Sequence, residues 1–191
     1  MIAGEARGVP LKAPRVTGLR PTSDLVRGAI FDILGQFFDP ETRVLDLYAG
    51  TGALGIEALS RGAGWADFVE RQPRCCEAIR KNLKATGLQE QGKVFCASVE
   101  RTARSLAGPY ALLFMDPPYA QAPDVSLVED LLAVGALQDG SRVVIEHARQ
   151  TAVPDSIGAL DLLKQRRHGD TVISVFGARS PLPLGEGQGE G

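Results

Sequence analysis

Residues 44–55 read V-L-D-L-Y-A-G-T-G-A-L-G, an apolar run that breaks into Gly50, Gly52 and Gly55 and passes directly into an apolar helical pattern. Glycine tolerates the positive φ of a tight strand-to-helix turn, and without a Cβ it lets a ligand approach the backbone. Such a turn belongs at the carboxyl end of a strand in an alternating α/β sheet, and the rest of the chain keeps that alternation. Strand-like runs at 43–48, 66–70, 93–97, 111–115 and 142–146 are separated by helical patterns at 53–61, 73–85, 99–106 and 126–134. The central strands are apolar on both faces, which argues for a parallel, doubly wound sheet. Two further runs, 159–167 and 171–176, flank the turn His168-Gly169-Asp170, too short for anything but an antiparallel pair. The expected fold is therefore α/β, mostly parallel, ending in an antiparallel hairpin.

Around this core the sequence suggests an N-terminal arm or hairpin at 1–21, a main domain at 22–179 and a disordered tail at 180–191 rich in Gly, Pro and Glu. Thr22 or Ser23 can cap a helix reaching about Phe37, with Leu25, Val26, Ala29, Ile30, Ile33 and Leu34 as its apolar stripe. At 191 residues one domain is expected. Removing the two tail acids leaves 21 basic against 21 acidic side chains, but residues 1–20 hold Arg7, Lys12, Arg15 and Arg20 against Glu5 alone. A neutral chain with a basic cluster remains compatible with nucleic acid. Cys75, Cys76 and Cys96 have neither disulfide-framework nor zinc-site spacing and read as buried or idle thiols; no metal is expected. His147 and His168 read as strand-end or surface histidines. No apolar stretch approaches the roughly 18 residues needed to span a bilayer, and the N-terminus has no secretory pattern. A cytoplasmic protein without a membrane partner is the expectation.

Two acids give the glycine turn its chemistry. Glu70, at the end of the next strand, is placed to accept hydrogen bonds from both hydroxyls of a ribose. That suits a nicotinamide dinucleotide or S-adenosylmethionine. Asp46, still on the first strand, separates the two, because its carboxylate repels a pyrophosphate and attracts the cationic amino group of a methionine moiety. S-adenosylmethionine is the expected cofactor. Sheet geometry then sets the adenine between Arg71, the residue after Glu70, and Ala97 and Ser98, with Tyr48 beside the glycine turn as a further contact.

At the end of the 111–115 strand comes Asp116-Pro117-Pro118-Tyr119. Ligands of open α/β sheets bind at the carboxyl ends of strands where strand order reverses, which puts this segment opposite the glycine turn. The Asp116 carboxylate and the Pro117 carbonyl can accept both hydrogens of an exocyclic amine, freeing its lone pair for an in-line attack on a methyl group and offsetting the positive charge that develops. The prolines fix φ and donate no N–H. Tyr119 can stack on a base turned out of its helix.

Taken together, Arg20-Pro21-Thr22, the run from Asp46 through Gly55 to Ala63, Phe68-Val69-Glu70 and Asp116-Pro117-Pro118-Tyr119 make the sequence resemble the bacterial 16S ribosomal RNA guanine-N2 methyltransferases of the small-subunit type. The resemblance implies a Rossmann-like class I methyltransferase fold with a seven-stranded sheet, S-adenosylmethionine as cofactor, and a guanine N2 amine in 16S rRNA as acceptor, reached on 30S-like particles; a monomer is expected. It implies that Asp116 to Tyr119 hold the target base, that Asp46, Gly50, Gly52 and Glu70 hold the cofactor, and that Arg7, Lys12, Arg20 and Thr22 face RNA. Rival readings of the same residues are a DNA adenine-N6 or cytosine-N4 methyltransferase and a noncatalytic RNA-binding protein of this fold.

Overall fold

The computed structural model describes residues 1–14, 23–106, 108–118 and 121–178. One sheet organises them, with strands β1 (Arg43–Leu47), β2 (Trp65–Glu70), β3 (Gly92–Cys96), β4 (Tyr110–Met115), β5 (Leu137–Ala148), β6 (Ser156–Ile157), β7 (Leu160–His168) and β8 (Thr171–Gly177) in the order β3-β2-β1-β4-β5-β8-β7-β6. The first five strands in that order are parallel, and β8, β7 and β6 follow antiparallel. The order reverses between β1 and β4, whose register pairs Asp46 with Phe114 and Leu47 with Met115. The seven expected strands are thus present. The two-residue β6 at the edge was not anticipated.

Alternation along the strands divides the core into two layers. Val44, Phe68, Phe114, Val144 and Ile173 face helices α1 (Asp24–Leu34), α2 (Ala53–Ser60) and α3 (Pro73–Ala85). Leu45, Leu47, Leu113, Met115 and Ile145 face the short α4 (Val99–Thr102) and α5 (Val125–Ala133) on the other side. Helices on both faces bury β4 throughout and β1 from Val44 onward, as a doubly wound sheet requires. No helix among the described residues is long and apolar enough to cross a membrane.

Helix α1 begins where its sequence indicates, because the Ser23 side chain accepts the Val26 N–H at 3.2 Å. It stops at Leu34, where the apolar stripe ends and short of the expected Phe37, since Gly35 adopts φ 59° and donates back to the Phe31 carbonyl. Leu25, counted in the apolar stripe, is instead 65 % exposed. The helical pattern at 99–106 resolves into α4 and a separate 3-10 turn.

Residues 1–14 contain turns and no strand, and they are docked on the domain. The Ile2 and Ala3 N–H groups donate to the fully buried Glu57 carboxylate, both at 2.9 Å, and Ala6 N–H donates to Ser60. Asn82, equally buried, takes the Lys12 N–H at 2.8 Å and donates to the carbonyls of Lys12 and Thr51, both at 3.0 Å. One α3 side chain therefore ties the N-terminal segment to the glycine turn. Arg20, Thr22 and the tail at 180–191 lie outside the described residues.

Candidate functional site

The chain leaves β1 through a strained turn. Tyr48 has φ 60°, uncommon for a residue with a side chain and often a mark of functional sites, and Gly50 and Gly52 follow at 55° and 76°. Gly55 needs its missing side chain for space. A Cβ there would stand 2.4 Å from the Phe68 ring and 3.1 Å from Asp46 Oδ2. This close approach lets the Gly55 N–H donate to Asp46 at 2.9 Å.

Above the switch point lies a cavity of about 820 Å³, within the roughly 300–1,000 Å³ usual for small-molecule sites. Asp46, Tyr48 and Gly50 line it from β1 and the turn, Glu70 and Arg71 from β2, and Ser98, Val99 and Glu100 from the start of α4. Asp116, Pro117 and Pro118 line it after β4, so the glycine turn and the D-P-P segment share one chamber. Gly52 and Ala97 are not in its wall. Gly52 makes the turn and packs under Ile79, while Ala97 donates its N–H to the Glu70 carbonyl at 3.0 Å. Tyr119 lies outside the described residues. Arg7 and Lys12 are exposed and are not part of its wall.

Several parts of the wall escaped the sequence reading, among them Ser23, Leu25 and Val26 at the start of α1, Glu100 and Gln121. Arg167 to Thr171, the β7–β8 turn, reach over the cavity, and Glu146 enters it from β5. A polar three-residue turn carries no periodic signal, and the antiparallel placement of β8 beside β5 brings it in, whereas Glu146 arrives through the parallel pairing of β5 with β4. The Nε2 of His168 is buried there with no hydrogen-bond partner among the described residues. His147, next to Glu146, is buried and structural, its Nε2 2.8 Å from Ser174 Oγ. Cys75 and Cys76 are buried as expected, but Cys96 is exposed, and its sulfur lies 2.7 Å from that of Cys76.

The wall's chemistry distinguishes between cofactors. Asp46, Glu70, Glu100, Asp116, Glu146 and Asp170 put six carboxylates around the chamber against the two guanidinium groups of Arg71 and Arg167. A pyrophosphate would meet repulsion, whereas a sulfonium and an ammonium are welcome. Glu70 is held by the Gly50 N–H at 2.9 Å and the Gln72 N–H at 2.7 Å, one on each oxygen. Each oxygen can accept a second donor, which suits a ribose diol. Burial is the main cause that raises the Asp46 pKa from 3.8 to about 7, and the nearby charges of Asp116 and Glu70 add to it. The Gly55 hydrogen bond opposes the rise. These residues fit S-adenosylmethionine.

A sequence profile of the family described as Conserved hypothetical protein 95 matches residues 1–177. The Ribosomal RNA small subunit methyltransferase D of Escherichia coli is 32 % identical over 179 residues, covering 92 % of this chain and 88 % of that protein. Bacillus subtilis YlbH, named as a candidate rRNA methyltransferase, is 34 % identical over 182 residues, covering 94 % and 98 %. Among solved structures, Escherichia coli yhhF, described as a candidate methyltransferase, superposes with a TM-score of 0.82 at 28 % identity over 95 % of this chain and 98 % of that one. An RNA methyltransferase from Salinibacter ruber in complex with S-adenosyl-L-homocysteine shares the fold, with a TM-score of 0.60 at 16 % identity over 86 % and 97 %.

Proposed function

The chain belongs to the Conserved hypothetical protein 95 family, that of the ribosomal RNA small subunit methyltransferases D, and on that premise we propose that it methylates the exocyclic N2 amine of a guanine in 16S rRNA. S-adenosylmethionine supplies the electrophilic methyl group when bound. The protein's own residues hold and orient the reactants. Glu70 accepts the ribose hydroxyls, with Arg71 and Ser98 beside the adenine, and Asp46 faces the methionine ammonium. Asp116 and the Pro117 carbonyl accept the N2 hydrogens, which aligns the lone pair and counters the charge that grows on nitrogen. Asp116 also takes the proton released once the new N–C bond has formed. Tyr119 serves as the stacking face, and Arg7, Lys12, Arg20 and Thr22 form the RNA-facing segment. A cytoplasmic monomer acting on small-subunit particles completes the proposal.

One observation carries this reading. The glycine-turn acid Asp46 and the D-P-P acid Asp116 share a cavity, close enough that the charge of Asp116 raises the Asp46 pKa. The test is mass mapping of 16S rRNA from cells lacking the gene, complemented with wild type or with Asp116→Ala. A single N2-methylguanosine that disappears, returns with wild type and stays absent with the variant is expected. An unchanged methylation map, or loss of a mark on another base, overturns it.

A further inference from the structure

The D-P-P segment grips an amine, and adenine, cytosine and guanine all carry one, so the wall must also read a ring atom beside it. In guanine the neighbour of the N2-bearing carbon is N1–H, a donor. In adenine and cytosine the corresponding neighbour is a bare ring nitrogen, an acceptor. A fixed acceptor next to Asp116 would separate these bases.

We propose that Glu146 is that acceptor and selects guanine by taking its N1–H while Asp116 and Pro117 take the N2 hydrogens; this rests on the preceding reading that a base amine reacts in this cavity. β4 and β5 run parallel with Phe114 beside Val144 and Met115 beside Ile145. Asp116 and Glu146 are the next residues along, on strands about 4.8 Å apart, and both line the chamber. Glu146 is only 7 % exposed, and its backbone is fixed in the sheet opposite Ile173 of β8. Two carboxylates at that spacing offer acceptors to neighbouring donors on one edge of a base. Where little water reaches the carboxylate, a base that faces it with a bare ring nitrogen in place of N1–H leaves both groups without a solvent partner to compensate. Sites built to hydrogen-bond a particular donor reject analogues lacking it by large factors.

The test uses 2-aminopurine, which keeps the 2-amino group but has an unprotonated N1. Small-subunit particles are rebuilt on 16S rRNA carrying guanosine or 2-aminopurine riboside at the mapped nucleotide, and methyl transfer to each is timed. Wild type should prefer guanosine by about 100-fold or more. In Glu146→Gln, whose amide can donate to a bare N1, the preference should fall at least about tenfold. Glu146→Asp keeps the charge but withdraws it by about one C–C bond, roughly 1.5 Å, and should slow transfer to guanosine more than to 2-aminopurine. Equal rates on the two bases by wild type, or a ratio unchanged in both variants, overturns the role of Glu146 alone. Transfer by wild type to neither base overturns the proposed function with it.

Discussion

Asp46 Oδ2 accepts the Gly55 N–H at 2.9 Å from a position that water scarcely reaches, with Asp116 and Glu70 near enough to push against its charge. Burial, reinforced by two neighbouring acids and opposed by that hydrogen bond, thus makes Asp46 the titrating group of the cofactor side of the chamber.

With a folded pKa of about 7 against an ordinary 3.8, the free protein keeps a proton on Asp46 that the unfolded chain has released. The contribution of this group to stability is therefore complete below the lower value and is lost as pH rises toward the higher one. Cofactor binding runs the other way. An ammonium beside Asp46 favours the carboxylate, so below about pH 7 binding must expel a proton, and affinity should fall by up to tenfold per pH unit. Titration calorimetry in buffers of different ionisation enthalpy should show close to one proton released at pH 6 and almost none at pH 8. Asp46→Asn should bind more weakly and lose the dependence.

Asp116→Ala should abolish methyl transfer while leaving cofactor binding within a few fold of wild type. Because Asp116 raises the Asp46 pKa, its removal should also move the pH midpoint of cofactor binding downward. Transfer at the wild-type rate, or an unmoved midpoint, would contradict the placement of the two acids.

Glu70→Ala removes the acceptor of the Gly50 and Gln72 N–H groups together with the proposed ribose contact. Hydrogen bonds to charged groups are each worth about 1.5–3 kcal/mol, so the dissociation constant for S-adenosylhomocysteine should rise by one to two orders of magnitude. Calorimetry on the variant, with circular dichroism to confirm its fold, checks this.

Asn82→Ala strands the carbonyls of Lys12 and Thr51 and the Lys12 N–H. The expected cost is about 2–4 kcal/mol, or a Tm drop on the order of 5–15 °C for a chain of this size. Asn82→Asp, which can accept but not donate to those carbonyls, should be no better. Thermal denaturation of both variants decides.

Arg7→Ala should weaken RNA binding and lower the slope of log affinity against log salt by just under one unit, the signature of one lost phosphate contact. Filter binding to 16S rRNA across a salt series reads it. An unchanged slope places the RNA surface elsewhere.

The sequence revealed the parts of this fold that announce themselves through local chemistry. Pro73 opens α3, and the helix spans the 73–85 pattern. Gly50 and Gly52 place the turn, and the apolar runs of β1 and β4 mark the buried centre. Polar or short segments were misread. β5 begins at Leu137 although Gln138-Asp139-Gly140 looks like a loop, because a register shift between Tyr110 and Leu112 lets it pair with β4. Leu25 looked like core because helical spacing cannot tell which apolar residue sits on the rim. The chamber acids at strand ends were legible, since a charge after an apolar run stands out; Glu146 carries the same signal but gains its meaning only from the β4–β5 register, and the 167–171 turn becomes wall only through pairing across β8.

That pairing has a consequence in time. β8 inserts between β5 and β7, and the turn that leads into it supplies the last part of the chamber wall in chain order. During synthesis the acids at 46, 70 and 116 emerge well before the segment that closes over them. The wall is therefore whole only once the 167–171 segment has been made and β8 has paired with β5.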